Sequence, residues 1–111
     1  MADCIFCKII KGESPAKFVY QDEQIVAFKS IDPAAPVHIL IIPKKHIEKL
    51  QDMSDNESDL LGKLILAAKK IAIQEKINQG FKIIINCGRE GGQEVFHLHV
   101  HLLGGWKGGV D

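Results

Sequence analysis

The sequence predicts an α+β fold, with an antiparallel sheet of about five strands, one long helix covering one side of it, and a short N-terminal helix. Two observations support this class. Several short segments rich in β-branched and aromatic residues follow one another across polar or glycine-rich turns, as antiparallel strands do. A single long segment between them, residues 54–79, carries apolar residues at helical spacing. One long helical crossing among mostly short connections is typical of α+β domains.

The first part of the chain predicts a short helix followed by a hairpin. Apolar residues along positions 4–10 form a stripe and Gly12 ends the pattern, so this segment is predicted to be helical. Residues 17–20 and 24–30 have strand-like composition and flank the polar turn at 21–23. This arrangement predicts an antiparallel hairpin.

The next segment, residues 37–42, is predicted to be a central and largely buried strand. It is a β-branched run bounded by Pro36 and Pro43. His38 is its polar exception. A lone histidine in such a run is usually a core residue with a hydrogen-bond partner, but a histidine-rich segment near the C-terminus offers His38 other partners.

The long helix is predicted to begin at a capping box, Ser54 to Glu57, and to continue to Gln79, where Gly80 supplies a stop. One wide apolar stripe is predicted to cover the sheet: Leu60, Leu61, Leu64, Ile65, Ala68, Ile71 and Ala72. A second, narrower stripe is predicted to pack against another subunit: Leu66, Ile73 and Ile77. The alternative is a helix buried on both sides within one chain.

The last two predicted strands are residues 81–86 and 96–103, joined as a hairpin by the glycine-rich loop 88–92. The second of these strands carries histidine at every second position. Because side chains alternate between the faces of a strand, the three histidines are predicted to line one face and the apolar residues between them the other. These histidines are His97, His99 and His101.

Three imidazoles in register predict a chemical site, because imidazole can shuttle protons, attack or bind metal near neutral pH. A neutral imidazole can attack phosphorus and form a phosphoramidate that water later hydrolyses, which requires no cofactor. His99, in the middle, is the candidate nucleophile; His97 or its backbone is the candidate group that holds the proton of the His99 ring. His101 is a candidate donor to a phosphoryl oxygen or leaving group. Further candidate donors are Asn86 and the amides around Gly92 and Val95.

Two metal hypotheses stand beside this one. The strand histidines could ligate one zinc ion with an open water position, as in a zinc-dependent hydrolase. Separately, Cys4-x-x-Cys7 is half of a zinc site, for which His46 and His97 are the candidate remaining ligands. The alternatives for the two cysteines are small buried thiols and a redox pair. If His97 binds zinc, it becomes a scaffold residue beside the nucleophile.

The composition restricts the partners. A chain of 111 residues predicts one domain, residues 1–111, and its 14 basic and 14 acidic residues leave no net charge to attract nucleic acid or an anionic membrane. The N-terminus lacks a signal-peptide pattern and no apolar stretch is long enough to cross a membrane, so the protein is predicted to be cytoplasmic. In that compartment its three cysteines are expected to be thiols or metal ligands.

The chain resembles the histidine-triad, or HIT, family, whose signature is His-φ-His-φ-His-φ-φ with φ apolar, and residues 97–103 match it in full. The resemblance extends over nearly the whole chain, through residues 3–9, 33–38, 42–46, 86–88 and 91–93, and is closest to the small nucleotide-binding phosphoramidase branch. It implies a homodimer whose sheets join across the interface, with purine nucleotides, especially AMP, as ligands. It also implies hydrolysis of nucleoside 5′-phosphoramidates or related AMP conjugates through a covalent histidine–nucleotidyl intermediate. The rival interpretation is a nucleotide-binding or adaptor module with little turnover.

By position, the resemblance implies a role for each site residue. His99 matches the nucleophile, His101 the histidine that contacts the phosphate, and His97 and His38 the residues that orient the nucleophile. Matches to phosphate contacts are Asn86, Gly92 and the amide of Val95. Matches to the apolar pocket for base and sugar are Ile5, Phe6, Ile9, Phe28, Ile31 and Leu40. Matches to a zinc set of some bacterial-type members are Cys4, Cys7, His46 and His97.

Two positions depart from the family pattern. Ser30 stands where relatives commonly have an aspartate that accepts both ribose hydroxyls, and a neutral hydroxyl is a weaker acceptor than a carboxylate. Glu94 stands where relatives often have a serine or threonine that donates toward the phosphate or leaving group. A carboxylate there repels an anion unless it turns away or is protonated. Both departures bear on the natural substrate and its rate of turnover.

Overall fold

The structure, a computed structural model, describes residues 4–108, so the predicted domain of residues 1–111 extends past both ends of that range. Within it, five strands form one antiparallel sheet in the order β1-β2-β3-β5-β4, and β3 is central as predicted. The strands are β1 (Phe18–Gln21), β2 (Ile25–Lys29), β3 (Val37–Pro43), β4 (Phe81–Ile84) and β5 (Val100–Gly104). The helices are α1 (Ile5–Ile10) and α2 (Ser58–Gln74). The predicted α+β class and both predicted hairpins are confirmed.

Each face of the sheet packs against one helix. Alternate residues of β2 and the wide apolar stripe of α2 share the main core cluster, in which Leu64, Ala68 and Ile71 are fully buried. The other residues of β2, Val26 and Phe28, pack against α1 in a second, smaller cluster. The prediction that only one side is covered is therefore wrong, because the stripe of α1 buries its own patch of the opposite face.

The register of the central strands brings several predicted site residues to the α1 face. In the antiparallel pairing, Leu40 of β3 lies opposite Phe28 of β2 and opposite His101 of β5. Residues that face each other across antiparallel strands share a face, and so do residues two apart on one strand. His38 therefore lies on the same face as these three, opposite to α2.

The long helix begins as predicted and ends earlier than predicted. The capping box at Ser54 forms, and α2 follows at Ser58 after one 3₁₀ turn. At the other end, Lys76 takes a left-handed φ of 62°, and its N–H donates to the Ile73 carbonyl while that of Ile77 donates to the Ala72 carbonyl. These two bonds form a Schellman motif, which stops the helix at Gln74. The predicted end at Gln79 is wrong because the left-handed residue is a lysine rather than a glycine.

This early stop changes the second apolar stripe. Ile77 lies beyond the helix and turns into the core, where it is 7% exposed. Leu66 and Ile73 stay on the outer face of α2 and are 59% and 58% exposed. The predicted stripe of three residues is therefore a pair.

The last strand is shorter than predicted, because β5 begins only at Val100 and the preceding residues bend away from the ladder. The N–H of Leu98 donates to the Ile47 carbonyl at 2.6 Å instead of pairing with β3. β3 itself ends at Pro43, which has no N–H to donate. His101 is thus in the strand, while His97 and His99 lie just before it. The predicted alternation nevertheless persists: Leu98, Val100 and Leu102 enter the main core, and the three histidines lie on the other side. No helix in the part of the chain that the structure describes has both the length and the apolar character to cross a membrane.

Candidate active site

A cavity of about 810 Å³ opens on the α1 face of the sheet. Its lining includes every residue predicted to contact a nucleotide: Ile5, Phe6, Ile9, Phe28, Ser30, Ile31, Leu40, Asn86, Gly92, Glu94 and Val95. It also includes three of the candidate catalytic histidines: His38, His99 and His101. The fourth, His97, is fully buried behind the cavity wall.

One end of the cavity is apolar and aromatic. The ring of Phe6 meets that of Phe28 edge to face, with centroids 5.5 Å apart. Phe6 also packs edge-on against the His99 ring at 5.2 Å, so the apolar wall reaches the candidate nucleophile. Ile31 is 99% exposed and Ile5 43%, so these two apolar side chains lie at the mouth.

The His99 ring is held in one tautomer. Its Nδ1 lies 2.8 Å from the carbonyl oxygen of His97, and since a carbonyl only accepts, Nδ1 carries the proton. Nε2 is then left with a free lone pair. Burial lowers the pKa of His99, opposed by the hydrogen bond to His97, so the ring is neutral at pH 7. A neutral imidazole with an unprotonated Nε2 is the form that can attack phosphorus.

His38 and His101 form a second hydrogen-bonded pair. The N–H of Ala34 donates to Nδ1 of His38 at 3.0 Å, which places the proton of His38 on Nε2. That Nε2–H donates to Nδ1 of His101 at 2.9 Å, which places the proton of His101 on its own Nε2. Burial, followed by the neighbouring His99 and His38, lowers the pKa of His101 to about 4. The structure therefore makes neutral His101 an N–H donor, and it sets His38 against His101 rather than against His99.

A loop with a left-handed glycine closes the polar end. Gly92 has a φ of +86°, a conformation that residues with a Cβ rarely adopt. Asn86 donates one N–H to the Gly91 carbonyl at 2.9 Å, which holds its side chain against this loop. The loop thus brings the amide side chain of Asn86 to the cavity, while the N–H groups of residues 91–93 donate to carbonyls within the loop.

A buried glutamine ties this loop down. Gln93 is 4% exposed; its Oε1 accepts from the N–H of Gly88, and its Nε2 donates to the carbonyls of Glu48 and Val95. All three partners are backbone groups, so one side chain fixes both ends of the loop and the segment after β3. Sequence reasoning missed this role, because Gln93 follows two glycines and its burial depends on a contact with residue 48.

A compact group of sulfur and nitrogen atoms lies directly behind the cavity. Its members, Cys4, Cys7, His46 and His97, offer ligand atoms that all lie within 4.8 Å of one another. The Cys7 sulfur is 3.2 Å from Nδ1 of His46, and the Cys4 sulfur is 3.4 Å from Nδ1 of His97. The edges of a tetrahedral zinc site with two sulfur and two nitrogen ligands measure about 3.3–3.8 Å, from the ordinary metal–ligand distances. The residues therefore fit zinc, and we call them the Cys–His cluster.

His97 belongs to this cluster by its ring and to the cavity by its backbone. Its Nε2–H donates to the Pro43 carbonyl at 2.7 Å, so the lone pair of Nδ1 faces the two cysteines. Its carbonyl meanwhile accepts from His99. Burial lowers the pKa of His97, which keeps the ring neutral and able to bind a metal. The three triad histidines therefore do not converge on one ion, contrary to the alternative of a zinc centre built from all of them.

Residues 11–108 match the family model described as the HIT domain. The chain belongs to the HIT family. It is 50% identical over 104 residues to Protein HitA of Neisseria gonorrhoeae, covering 94% of this chain and 97% of that protein. It is also 50% identical over 104 residues to the purine nucleoside phosphoramidase of Escherichia coli (strain K12), covering 93% and 87%. A HIT family hydrolase from Clostridium thermocellum superposes with a TM-score of 0.94 at 46% identity, covering 100% and 97% of the two chains. These findings confirm the family that the sequence resembles.

The cavity of this HIT protein has further lining residues that sequence reasoning missed: Ser14, Pro15, Ala16, Lys29 and Asp32. Asp32 had a signal, since it follows Ser30 by two residues in the same turn. Its N–H donates to Oγ of Ser30 at 3.2 Å, and its carboxylate is close enough to His38 to oppose the lowering of the His38 pKa by burial. The segment 14–16 has no comparable signal, because its place in the wall follows only from the packing of α1.

Proposed function

We propose that this HIT protein is a hydrolase that cleaves the bond between the α-phosphorus of a purine nucleoside monophosphate and an amine or related leaving group. The observation that carries the proposal is the fixed tautomer of His99. This residue lines the cavity, and its Nε2 has a free lone pair because the proton is on Nδ1. The 50% identity to a protein named purine nucleoside phosphoramidase supports the same substrate class.

The reaction begins with attack of His99 Nε2 on the α-phosphorus. The new N–P bond forms as the bond to the leaving nitrogen breaks, and that nitrogen takes a proton from water at the open mouth. The His99 ring becomes cationic, and its Nδ1–H stays on the carbonyl of His97, which stabilises the charge. The Nε2–H of His101 donates to a non-bridging phosphoryl oxygen as negative charge develops there.

Water completes the reaction by attacking the same phosphorus. The bond from phosphorus to His99 breaks, the water oxygen stays on the nucleotide, and its proton returns to solvent. The apolar wall holds the base, while Asn86 and the amide of Val95 supply donors to the phosphate. Every bond in the cycle is made by this chain's own residues and water, so no cofactor takes part in it.

The experiment that tests this proposal uses a chromogenic or fluorogenic AMP–amine phosphoramidate. We expect the parent to release AMP, and reactions quenched rapidly with denaturant at alkaline pH, where the histidine–phosphorus bond is stable, to contain a protein species heavier by one AMP moiety, located on His99 by peptide mass spectrometry. His99→Ala should bind AMP and lose both the turnover and the adduct. A parent with no turnover on such a substrate contradicts the proposal.

A second candidate function, a nucleotide-binding or adaptor module with little turnover, is favoured by Glu94. Its exposed side chain lines the cavity, and a carboxylate beside a phosphate costs free energy through repulsion of like charges. Glu94→Ser and the isosteric control Glu94→Gln separate the two candidates. Under the hydrolase proposal, both substitutions raise kcat/KM on an AMP–amine substrate, and Glu94→Ser raises it more. Turnover that stays negligible in both variants would instead support the nucleotide-binding or adaptor function.

We also propose that the Cys–His cluster binds zinc, held by Cys4, Cys7, His46 and His97. The ion would act as a structural cross-link between α1, the segment after β3 and the segment before β5. Metal analysis of the purified protein should give one equivalent of zinc, and Cys4→Ser with Cys7→Ser should abolish it. Removal of zinc by chelation should leave kcat on an AMP–amine substrate unchanged, because His99 rather than the metal carries out the chemical step.

We further propose that the protein is a homodimer whose sheet continues across the interface. The outer face of α2 presents Leu66 and Ile73, which line a groove beside Tyr20 of β1. Multi-angle light scattering at micromolar concentration should give twice the mass of the chain. A monomer contradicts the dimer, and a Leu66→Glu variant that remains dimeric would show that this pair lies outside the interface.

A further inference from the structure

We propose that metal binding at the Cys–His cluster and nucleotide binding in the cavity are coupled through α1 and His97, so that each tightens the other. The inference rests on the proposed function in one respect, that the cavity takes a nucleotide. It goes beyond it by giving the metal a measurable effect on nucleotide affinity. Three features of the structure carry it.

The first feature is that α1 serves both sites. Cys4 is its N-cap residue and Cys7 lies in its first turns, while Ile5, Phe6 and Ile9 line the cavity. A helix of six residues is unstable by itself, so its position depends on what it is attached to. Two of those attachments are the apolar contacts of Phe6 and Ile9, and a third is the cluster.

The second feature is that His97 connects the cluster to the candidate nucleophile. Its ring faces the cysteines, and its carbonyl accepts the proton of the His99 ring at 2.8 Å. The Phe6 ring packs edge-on against both imidazoles, with centroids 5.9 Å from His97 and 5.2 Å from His99. A shift of α1 relative to His97 therefore changes the packing of the apolar wall at the point where the nucleotide is held.

The third feature is a shared wall. A second cavity, of about 350 Å³, opens beside Cys4 and His46. It shares Ile5, Glu94 and Val95 with the large cavity. These residues therefore separate the approach to the cluster from the phosphate end of the candidate active site, and a change on one side is transmitted by direct contact.

The physical basis of the coupling is the strength of the cluster. Without a metal, the thiol–imidazole contacts at 3.2–3.6 Å are weak hydrogen bonds to sulfur. Coordination to one ion replaces them with strong bonds and holds α1 in the position that forms the wall, so the nucleotide no longer has to order it. By linkage, the nucleotide must then strengthen metal binding by the same factor.

The test compares the full-length protein loaded with zinc and desalted with the same protein stripped by a chelator. Calorimetric titration with AMP should give a Kd roughly tenfold higher for the stripped form, within the range usual for coupled sites. Competition with a chromophoric chelator should give a zinc Kd that saturating AMP lowers by the same factor. In turnover assays, removal of zinc should raise KM and leave kcat unchanged. The kcat should not change because the Pro43 carbonyl still holds His97 in place.

Variants separate coupling from a general loss of structure. Cys4→Ser with Cys7→Ser should bind AMP like the stripped parent and ignore added zinc, whereas Cys87→Ser, which removes the thiol outside the cluster, should behave like the parent. Cys7→His keeps a zinc-binding side chain at that place and should restore part of the zinc response. Circular dichroism with an unchanged helical signal controls for unfolding.

Equal AMP affinities in the zinc-loaded and stripped forms would overturn the coupling and leave the hydrolase proposal standing. Absence of AMP binding to the zinc-loaded protein would instead overturn the proposed function, and the coupling with it. A zinc Kd that does not respond to AMP, although AMP binds, would also sink the coupling, since linkage requires both effects.

Discussion

Beneath α2, the alternating residues of β3 and β5 are all aliphatic and buried: Ile39, Ile41, Val100 and Leu102. On the opposite face, the intervening positions of the same strands carry His38, Leu40 and His101, and these line the cavity. Both sets come from the same backbone and differ only in which face their side chains point to. The comparison shows how a small protein keeps its stabilising residues and its chemically active residues apart while placing them one position from each other.

The largest difference between the two faces is expected when two neighbouring residues, Leu98 and His99, are each replaced by alanine. Leu98 is fully buried in the main core cluster, so Leu98→Ala should lower the free energy of unfolding by about 2–5 kcal/mol. His99→Ala should lower turnover at least about 10³-fold and cost only about 1 kcal/mol of stability. Urea unfolding and turnover measured on both variants check this; a His99 variant as unstable as the Leu98 variant would contradict the separation of the two faces.

The second prediction concerns the pH dependence of stability, to which the buried histidines on the α1 side of the sheet contribute. The pKa of His101 is about 4 in the folded protein and about 6.5 in an unfolded chain, so the unfolded state binds the proton first as the pH falls. The free energy of unfolding should therefore decrease as the pH falls from 6.5 toward 4. Above pH 6.5 this group should add no pH dependence to the free energy of unfolding. The pKa values of His38, His97 and His99 are also lowered by burial and act with the same sign, while Asp32 opposes the lowering of the His38 pKa.

Unfolding by urea at a series of pH values measures this slope. His101→Asn removes one of the titrating groups, so its slope between pH 6.5 and 4 should be shallower than that of the parent. An identical slope would show that His101 titrates alike in the folded and unfolded states.

A smaller effect is expected at the sugar end of the cavity face. Asp32 lines the cavity, and the Oγ of Ser30 already accepts the Asp32 N–H, so we expect the carboxylate of Asp32 to be the better acceptor for ribose hydroxyls. Asp32→Asn should reduce the preference for AMP over 2′-deoxy-AMP roughly tenfold, the value of one charge-assisted hydrogen bond. Calorimetric titration with both nucleotides checks this, with Ser30→Ala as the control; a larger loss in the control would assign the role to Ser30.

The smallest effect is expected on the α2 face, at the end of that helix. Lys76 holds a left-handed φ of 62°, which glycine adopts without steric cost. Lys76→Gly should raise the free energy of unfolding by up to about 1 kcal/mol and leave AMP binding unchanged. Lys76→Ala is the control and should give no gain, and equal stability of the two variants would show that the backbone carries no strain there.

Local patterns were enough to predict most of the fold. The β-branched run that forms β3 and the capping box before α2 are signals carried by neighbouring residues, and the structure confirms both. The misplaced boundaries depend on other information. α2 stops at a left-handed lysine, and β5 starts late because the Leu98 N–H bonds to Ile47, a partner about fifty residues away.

The candidate site shows the same division. The residues predicted to contact the nucleotide all line one cavity, because the family motif carries their positions as well as their identities. Gln93 and Asp32 were missed as site residues. The burial of Gln93 depends on the Glu48 carbonyl, which the neighbouring residues do not indicate. Asp32 had a local signal, two residues after Ser30, but its place in the cavity wall depends on how that turn folds over the sheet.

Three of the four imidazoles of the candidate site take their hydrogen positions from the main chain: His97 from the Pro43 carbonyl, His99 from the His97 carbonyl and His38 from the Ala34 amide. Carbonyls and amides persist through every change of side chain. Under the proposed function, a change of the pocket walls toward other bases, sugars or leaving groups leaves these three proton positions in place. A scaffold of this kind can acquire new substrates by surface mutation alone, without first having to rebuild its reactive group.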